Sequence, residues 1–355
     1  MTDLFTPLQL GALTLPNRIL MAPLTRCRAG EQHVPNALMA EHYAQRASAG
    51  LLIAEATMAM PDTSAFWMEP GIYNAEQVAG WKLVTDAVHA AGGRIFLQIW
   101  HGGRACHPAL NGGRQPVSSS AQAIRNDEVH TPEGKLPYTT PRALADDELP
   151  GIVAGFRQAA VNAKAAGFDG VEVHGANGYL LDQFLRDGIN DRSGPYGGPR
   201  EHRARLLLEV LQAVCEVWGS DRVGLRLSPL NSYNDLIDSD PVGLVTWLAG
   251  ELNRFNLAYL HLMRADFFGK QHGDVVTPVR AAYRGTLIGN MGYGAEEAGA
   301  AVASGQLDAV AFGTAFLANP DLPARLRAGA ALNAPDPATF YTPGAAGYTD
   351  YPTMA

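Results

Sequence analysis

The chain is poor in cysteine. It has three, Cys27, Cys106 and Cys215, in 355 residues, and none forms a CxxC pair. That count and spacing exclude a disulfide framework, a zinc site and an iron–sulfur cluster, and no metal is expected. Long apolar runs are also missing: nowhere do about eighteen apolar residues follow one another, so no membrane span is expected. The opening MTDLFTPLQLGALTLPNR carries Asp3 early and lacks an apolar core of signal-peptide length, so the expected location is cytoplasmic. Basic residues form no long cluster and the formal charge is −8, which argues against a nucleic-acid partner. The dinucleotide fingerprint GxGxxG is absent after the first apolar run, where MAPLTRCRAG stands instead,.

What is present is an ordinary globular balance, 47% hydrophobic and 17% charged,. Length alone suggests about two domains, but α/β barrels often run longer as one. A short entry, LQLGALTLPN, reads as a β-hairpin. After it, apolar runs alternate with amphipathic segments. Strands are predicted at 18–24, 51–56, 94–100, 170–175, 223–229, 257–263, 286–291 and 309–316. Helices are predicted at 35–48, 75–92, 146–167, 200–219, 240–255, 274–284, 294–305 and 319–329. Several helices begin with Asp, Asn or Pro and end in Gly, as caps require. Eight strand–helix units predict a closed (β/α)8 TIM barrel, a single domain over 1–355, with a doubly wound sheet as the alternative. Two stretches fall outside the repeat. The Pro/Gly/Ser-rich loop of about 101–145, after strand 3, has the length of a functional lid. The tail carries Tyr348 and Tyr351, aromatics that predict packing against the body.

A barrel of this kind works at the C-terminal ends of its strands. Those ends are polar here: Thr25 after strand 1, Gln98 and Trp100 on strand 3, His174 and then Asn177 after strand 4, Arg226 on strand 5. Period-2 alternation places Glu172 and His174 on one face of GVEVHG, with Val171 and Val173 on the other. It places Gln98 with Phe96 and Trp100, and sets Arg226 opposite Val223, Leu225 and Leu227. The polar set therefore points into the barrel mouth. Strands 7 and 8 end in GNMG and FGT, small-residue turns that present backbone N–H groups to an anion, and together they favour a phosphate seat over mere tight turns. Arg226 needs a partner, either Glu55 or Glu172 in an internal pair, or an electron-rich ring or anionic ligand. Gln98 offers a donor and an acceptor, and Thr25 a hydroxyl. His174, Asn177 and Tyr179 taken singly are equally compatible with a loop contact, a turn and a core position.

Taken together, the motifs LFTPLQLGALTLPNRILMAPLTR, IAEAT, QIWHGGR, HGANGYLLDQFL, GLRLSP, AFGTAFLANPDL and GYTDYP resemble the Old Yellow Enzyme family of FMN-dependent ene-reductases. The resemblance covers essentially the whole chain. It is strongest to the bacterial branch that includes the N-ethylmaleimide and pentaerythritol tetranitrate reductases. It implies FMN on the barrel mouth, with Ala22, Pro23, Thr25, Ala56 and Gln98 along the ring and Arg226 near its N1–C2=O edge. Asn290, Met291, Gly292, Gly313 and Thr314 match the phosphate seat. His174 and Asn177 match the pair that holds the activating oxygen of a substrate, and Tyr179 the proton donor. Phe66, Trp100 and Tyr351 would wall the pocket. The implied reaction is ping-pong, with NADPH or NADH as reductant and small-molecule alkenes activated by a carbonyl, imide or nitro group as substrates. The implied assembly is a monomer or homodimer.

Two positions depart from the family's pattern. Thr314 stands where the family usually has a phosphate-holding Arg, and Phe66 where some relatives have Tyr. Cys27 reads as structural. Two rival functions share the same features: a barrel lyase or isomerase acting on a phosphorylated substrate, for which Glu55 is the one candidate base, and a non-catalytic flavin or small-molecule binding protein.

Overall fold

The computed structural model describes residues 3–125 and 127–354. Alternation along the strands decides the architecture. Eight parallel strands close into a barrel in sequence order: β1 (Ile19–Met21), β2 (Leu52–Met58), β3 (Ile95–Trp100), β4 (Gly170–Gly175), β5 (Val223–Leu227), β6 (Tyr259–Met263), β7 (Leu287–Asn290) and β8 (Ala309–Phe312). The outward positions, such as Val171 and Val173 on β4 or Ile95, Leu97 and Ile99 on β3, pack under the helices in one continuous buried layer. The inward positions form a second layer of Leu20, Ile53, Phe96, Tyr259, Ile288 and Ala311. The covering helices are α1 (Ala37–Gln45), α2 (Ala75–Ala90), α3 (Leu149–Ala165), α4 (Arg205–Trp218), α5 (Pro241–Leu252), α6 (Val276–Ala282), α7 (Ala295–Ala303) and α8 (Leu322–Ala328). The closed order excludes the doubly wound alternative.

The hairpin Leu8–Leu10/Leu13–Leu15 plugs the N-terminal end of the barrel, since Leu8, Leu10 and Leu15 belong to the inner layer. Its tip sits against the chain before β5, where the Ala12 N–H donates to the Asp221 carbonyl. Inside the barrel, Gly224 makes room for the Tyr259 ring: a Cβ there would lie 2.2 Å from it.

Several boundaries differ from expectation. The last strand stops at Phe312, and Thr314–Ala318 is a short helix, so the apolar run 309–316 was two elements. The predicted helix 200–219 is broken at Ala204 into Arg200–Arg203 and α4. A further short helix, Leu180–Leu185, follows β4. The long loop after β3 is partly ordered as an antiparallel hairpin, Glu128–Thr131 with Gly134–Pro137, and a parallel pair, Val117–Ser118 with Arg142–Ala143. β2 also breaks its own alternation. Its pairing with β3 shifts between Ala54 and Thr57, so Ala56 faces the mouth while Glu55 turns away from it. Among the described residues, no helix is long and apolar enough to cross a membrane.

Candidate active site

Two adjoining cavities occupy the C-terminal mouth. The larger, about 360 Å³, is lined by Pro23, Thr25, Ala56, Gln98 and Arg226 below and by Phe66, His174, Asn177 and Tyr179 around it. The smaller, about 230 Å³, is lined by Ala22, Asn290, Met291, Gly292, Gly313 and Thr314. Leu24, Arg226 and Phe267 border both. A larger open groove, about 1020 Å³, runs along the outside of the barrel between α3, α4 and α5. No strand-end residue lines it, so the chemistry belongs to the mouth.

Beneath the larger cavity lies a buried polar network. Gln98 Nε2 donates to Glu172 Oε1 at 2.7 Å, and His261 Nδ1 meets Glu172 Oε2 at 2.9 Å. The carboxylate fixes the Gln98 amide with its N–H₂ downward, leaving Oε1 as an acceptor for whatever fills the cavity. Arg226 does not bond Glu55 or Glu172 directly. Its Nη2 donates to Asn290 Oδ1 at 2.8 Å, while Asn290 Nδ2 donates to the Ala311 carbonyl. Burial pulls the Arg226 guanidinium below its usual range, opposed by attraction to Glu172. Its buried Nε has no hydrogen-bond partner among the described residues. Glu55 instead accepts from the Arg26 N–H and the Tyr43 hydroxyl, and burial lifts its carboxyl to about 7.

The three residues after β4 are each oriented by a separate contact. His174 Nδ1 accepts the Ala176 N–H, so the ring proton of the neutral form sits on Nε2,. Burial holds its pKa well below the ordinary histidine value, helped by the neighbouring Arg226 cation, and the ring is a neutral donor. Asn177 occupies the left-handed region at φ +58. Its N–H donates to Ser228 Oγ and its Oδ1 accepts from Asn231 Nδ2, which leaves its own side-chain N–H₂ for the cavity,. Tyr179 opens the helix Leu180–Leu185. Its ring stands edge-on to Trp100 at 4.4 Å and to His174 at 5.1 Å. Burial pushes its phenol well above 10, so it keeps its proton at neutral pH,.

Most of the expected residues thus converge on the mouth. Trp100 does not line the cavity; it is buried beneath Tyr179 and acts as a floor for that ring. Tyr351 lies elsewhere, its hydroxyl accepting from the Asp336 N–H. The tail residue that reaches the mouth is Tyr341, stacked on Phe66 at 5.8 Å. Tyr233, Phe267 and Phe268, which complete the outer wall, carried no periodic signal because they sit in loops. His261 and Glu172 could have been paired from their inward positions on β6 and β4.

Comparison with known proteins matches this geometry to a family. The model of the NADH:flavin oxidoreductase / NADH oxidase family matches residues 3–333. A probable flavin mononucleotide-dependent alkene reductase of Leishmania infantum is 52% identical over 353 residues, covering 98% of this chain and 96% of the relative. A 12-oxophytodienoate reductase of Oryza sativa subsp. japonica is 45% identical, covering 99% and 93%. Among solved structures, morphinone reductase in complex with tetrahydroNAD superposes with a TM-score of 0.95 at 50% identity, covering 100% of this chain and 98% of the other. The old yellow enzyme from Trypanosoma cruzi gives 0.96 at 46% identity, covering 99% of each.

Proposed function

The chain belongs to the NADH:flavin oxidoreductase / NADH oxidase family, and we propose that it is an FMN-dependent reductase of activated alkenes driven by NADPH or NADH. The carrying observation is the convergence of two neutral donors, His174 Nε2–H and the Asn177 amide, with a protonated Tyr179 over one cavity. The residues below fit a flavin ring. An unpartnered Arg226 Nε–H, the Gln98 carbonyl oxygen and the Thr25 hydroxyl suit an edge of alternating carbonyl and N–H groups,. The neighbouring cavity, lined by small-residue turns, suits its phosphate,.

Bound FMN supplies the hydride. The chain supplies the rest. His174 and Asn177 hold the carbonyl, imide or nitro oxygen and stabilise the negative charge that develops there when the alkene carbon is attacked. Neutrality of His174 matters, because an unprotonated Nδ1 is what keeps the Ala176 contact and aims Nε2–H outward. Tyr179 gives its proton to the other alkene carbon. Phe66, Tyr233 and Tyr341 supply aromatic walls beside the face where this occurs. The whole chain acts as a single FMN-binding domain.

The lyase or isomerase reading loses its base: Glu55 faces away from the mouth, bound to Arg26 and Tyr43. A binding module without turnover is separated by experiment. The purified protein is expected to be yellow, to bleach with NADPH or NADH under anaerobic conditions, and to recover its colour with 2-cyclohexenone. A protein that takes up no FMN refutes the proposal. Bleaching without recovery by cyclohexenone, maleimide or a nitroalkene supports the binding module instead.

A further inference from the structure

Behind the smaller cavity a cation is tied into the turn after β7. Arg264, the residue after β6, donates from Nε to the Met291 carbonyl at 2.9 Å and from Nη2 to the Gly292 carbonyl at 3.1 Å. Its guanidinium lies over the Tyr293 ring at 3.6 Å and pairs through both Nη groups with Glu297 in the first turn of α7.

The direction of these two bonds has a consequence. In a planar trans peptide the C=O and the N–H point to opposite sides. Holding the Met291 carbonyl toward Arg264 turns the Gly292 N–H away from it. Holding the Gly292 carbonyl turns the Tyr293 N–H away as well. Neither N–H has a protein acceptor among the described residues, and Met291, Gly292 and Tyr293 all line the cavity. The turn is also strained. Met291 (φ +82) and Gly292 (φ +74) are successive left-handed residues, and a non-glycine there costs on the order of 1 kcal/mol or more unless its surroundings hold it. The same cavity is lined by Thr314, which brings no charge, and among the described residues its one cationic lining side chain is Arg226, engaged with Asn290.

We propose that Arg264 is a positioning residue for the phosphate end of FMN: it locks the two peptide units so that their N–H groups face the phosphate, and adds positive potential from behind, which Glu297 tempers. The inference rests on the flavin reading of the site and assigns a task to a side chain outside the cavity wall.

The test is a fluorescence titration of the full-length chain, stripped of flavin, with FMN and with riboflavin, which lacks the phosphate. Arg264→Met is expected to weaken FMN about tenfold and to leave riboflavin within about twofold. Arg264→Lys, which keeps the charge but cannot hold both carbonyls, should fall between. Glu297→Gln should tighten FMN a few-fold, by about the worth of one partly screened charge. Unchanged FMN binding in Arg264→Met overturns the proposal. So does a parallel loss of FMN and riboflavin, or weaker FMN binding in Glu297→Gln. A wild-type chain that binds neither flavin overturns the functional reading itself, and this inference with it.

Discussion

Tyr179 is a general acid only if it holds its proton and can release it to one place. Burial secures the first condition, and the edge-on contacts to Trp100 and His174 limit its orientation. Tyr179→Phe keeps the ring and removes the hydroxyl that carries the proton. Its alkene half-reaction is expected to slow by roughly 10²-fold, the scale of a lost general acid, while reduction of the flavin by the nicotinamide is spared. Stopped-flow measurement of the two half-reactions decides it. Slowing confined to flavin reduction would contradict the assigned role. The site's inward residues were legible in the sequence because period-2 alternation is strict on β3, β4 and β5,. Where alternation fails, so did the reading. Glu55 shares parity with inward Ile53, yet the bulge in β2 turns it outward and brings Ala56 in.

Turns and short helices carry the donors. Gly178 follows Asn177 at φ +71, and its N–H is held by Asp182, itself paired with Arg186. A Cβ at Gly178 would lie 2.6 Å from the Tyr233 carbonyl. Gly178→Ala is therefore expected to cost about 1–3 kcal/mol of stability, as an overpacked and strained position does. It should also slow alkene turnover more than flavin reduction, because Asn177 moves with the turn. Thermal unfolding and the same half-reactions check both. At β8 the element that escaped the sequence was the helix Thr314–Ala318, whose apolar residues look like a continuation of the strand. Thr314, its first residue, lines the smaller cavity. Thr314→Arg places a guanidinium beside the phosphate seat and should tighten FMN about tenfold, the worth of a charge-assisted pair. Equal or weaker binding in a titration of the flavin-free chain would count against it.

The whole molecule is closed by its tail, and this was the least legible part. Strand–helix repetition exposes a barrel because each unit repeats a pattern; a tail has no repeat. Tyr348 is fully buried and stacks on His42 of α1 at 3.8 Å, while Tyr341 walls the mouth. Arg26 and Arg28, just past β1, bind tail carbonyls from Thr339 to Gly347. Glu55 anchors this junction through the Arg26 N–H and Tyr43. Its carboxyl is raised from 4.5 to about 7, chiefly by burial. Between those two values the folded chain holds a proton that the unfolded chain has released, so stability falls as pH rises across that window. Above it both states are ionised and the dependence ends. Glu55→Gln carries no such proton. Subtracting its stability from the wild type cancels every other titrating group, so the difference should move against the wild type by about 3 kcal/mol between pH 4.5 and 7,. Urea midpoints of the two proteins at a series of pH values measure this. Parallel profiles would mean that Glu55 is ionised in the folded chain throughout, and that the junction under the tail is held by a buried carboxylate against Arg26 rather than by a neutral acid.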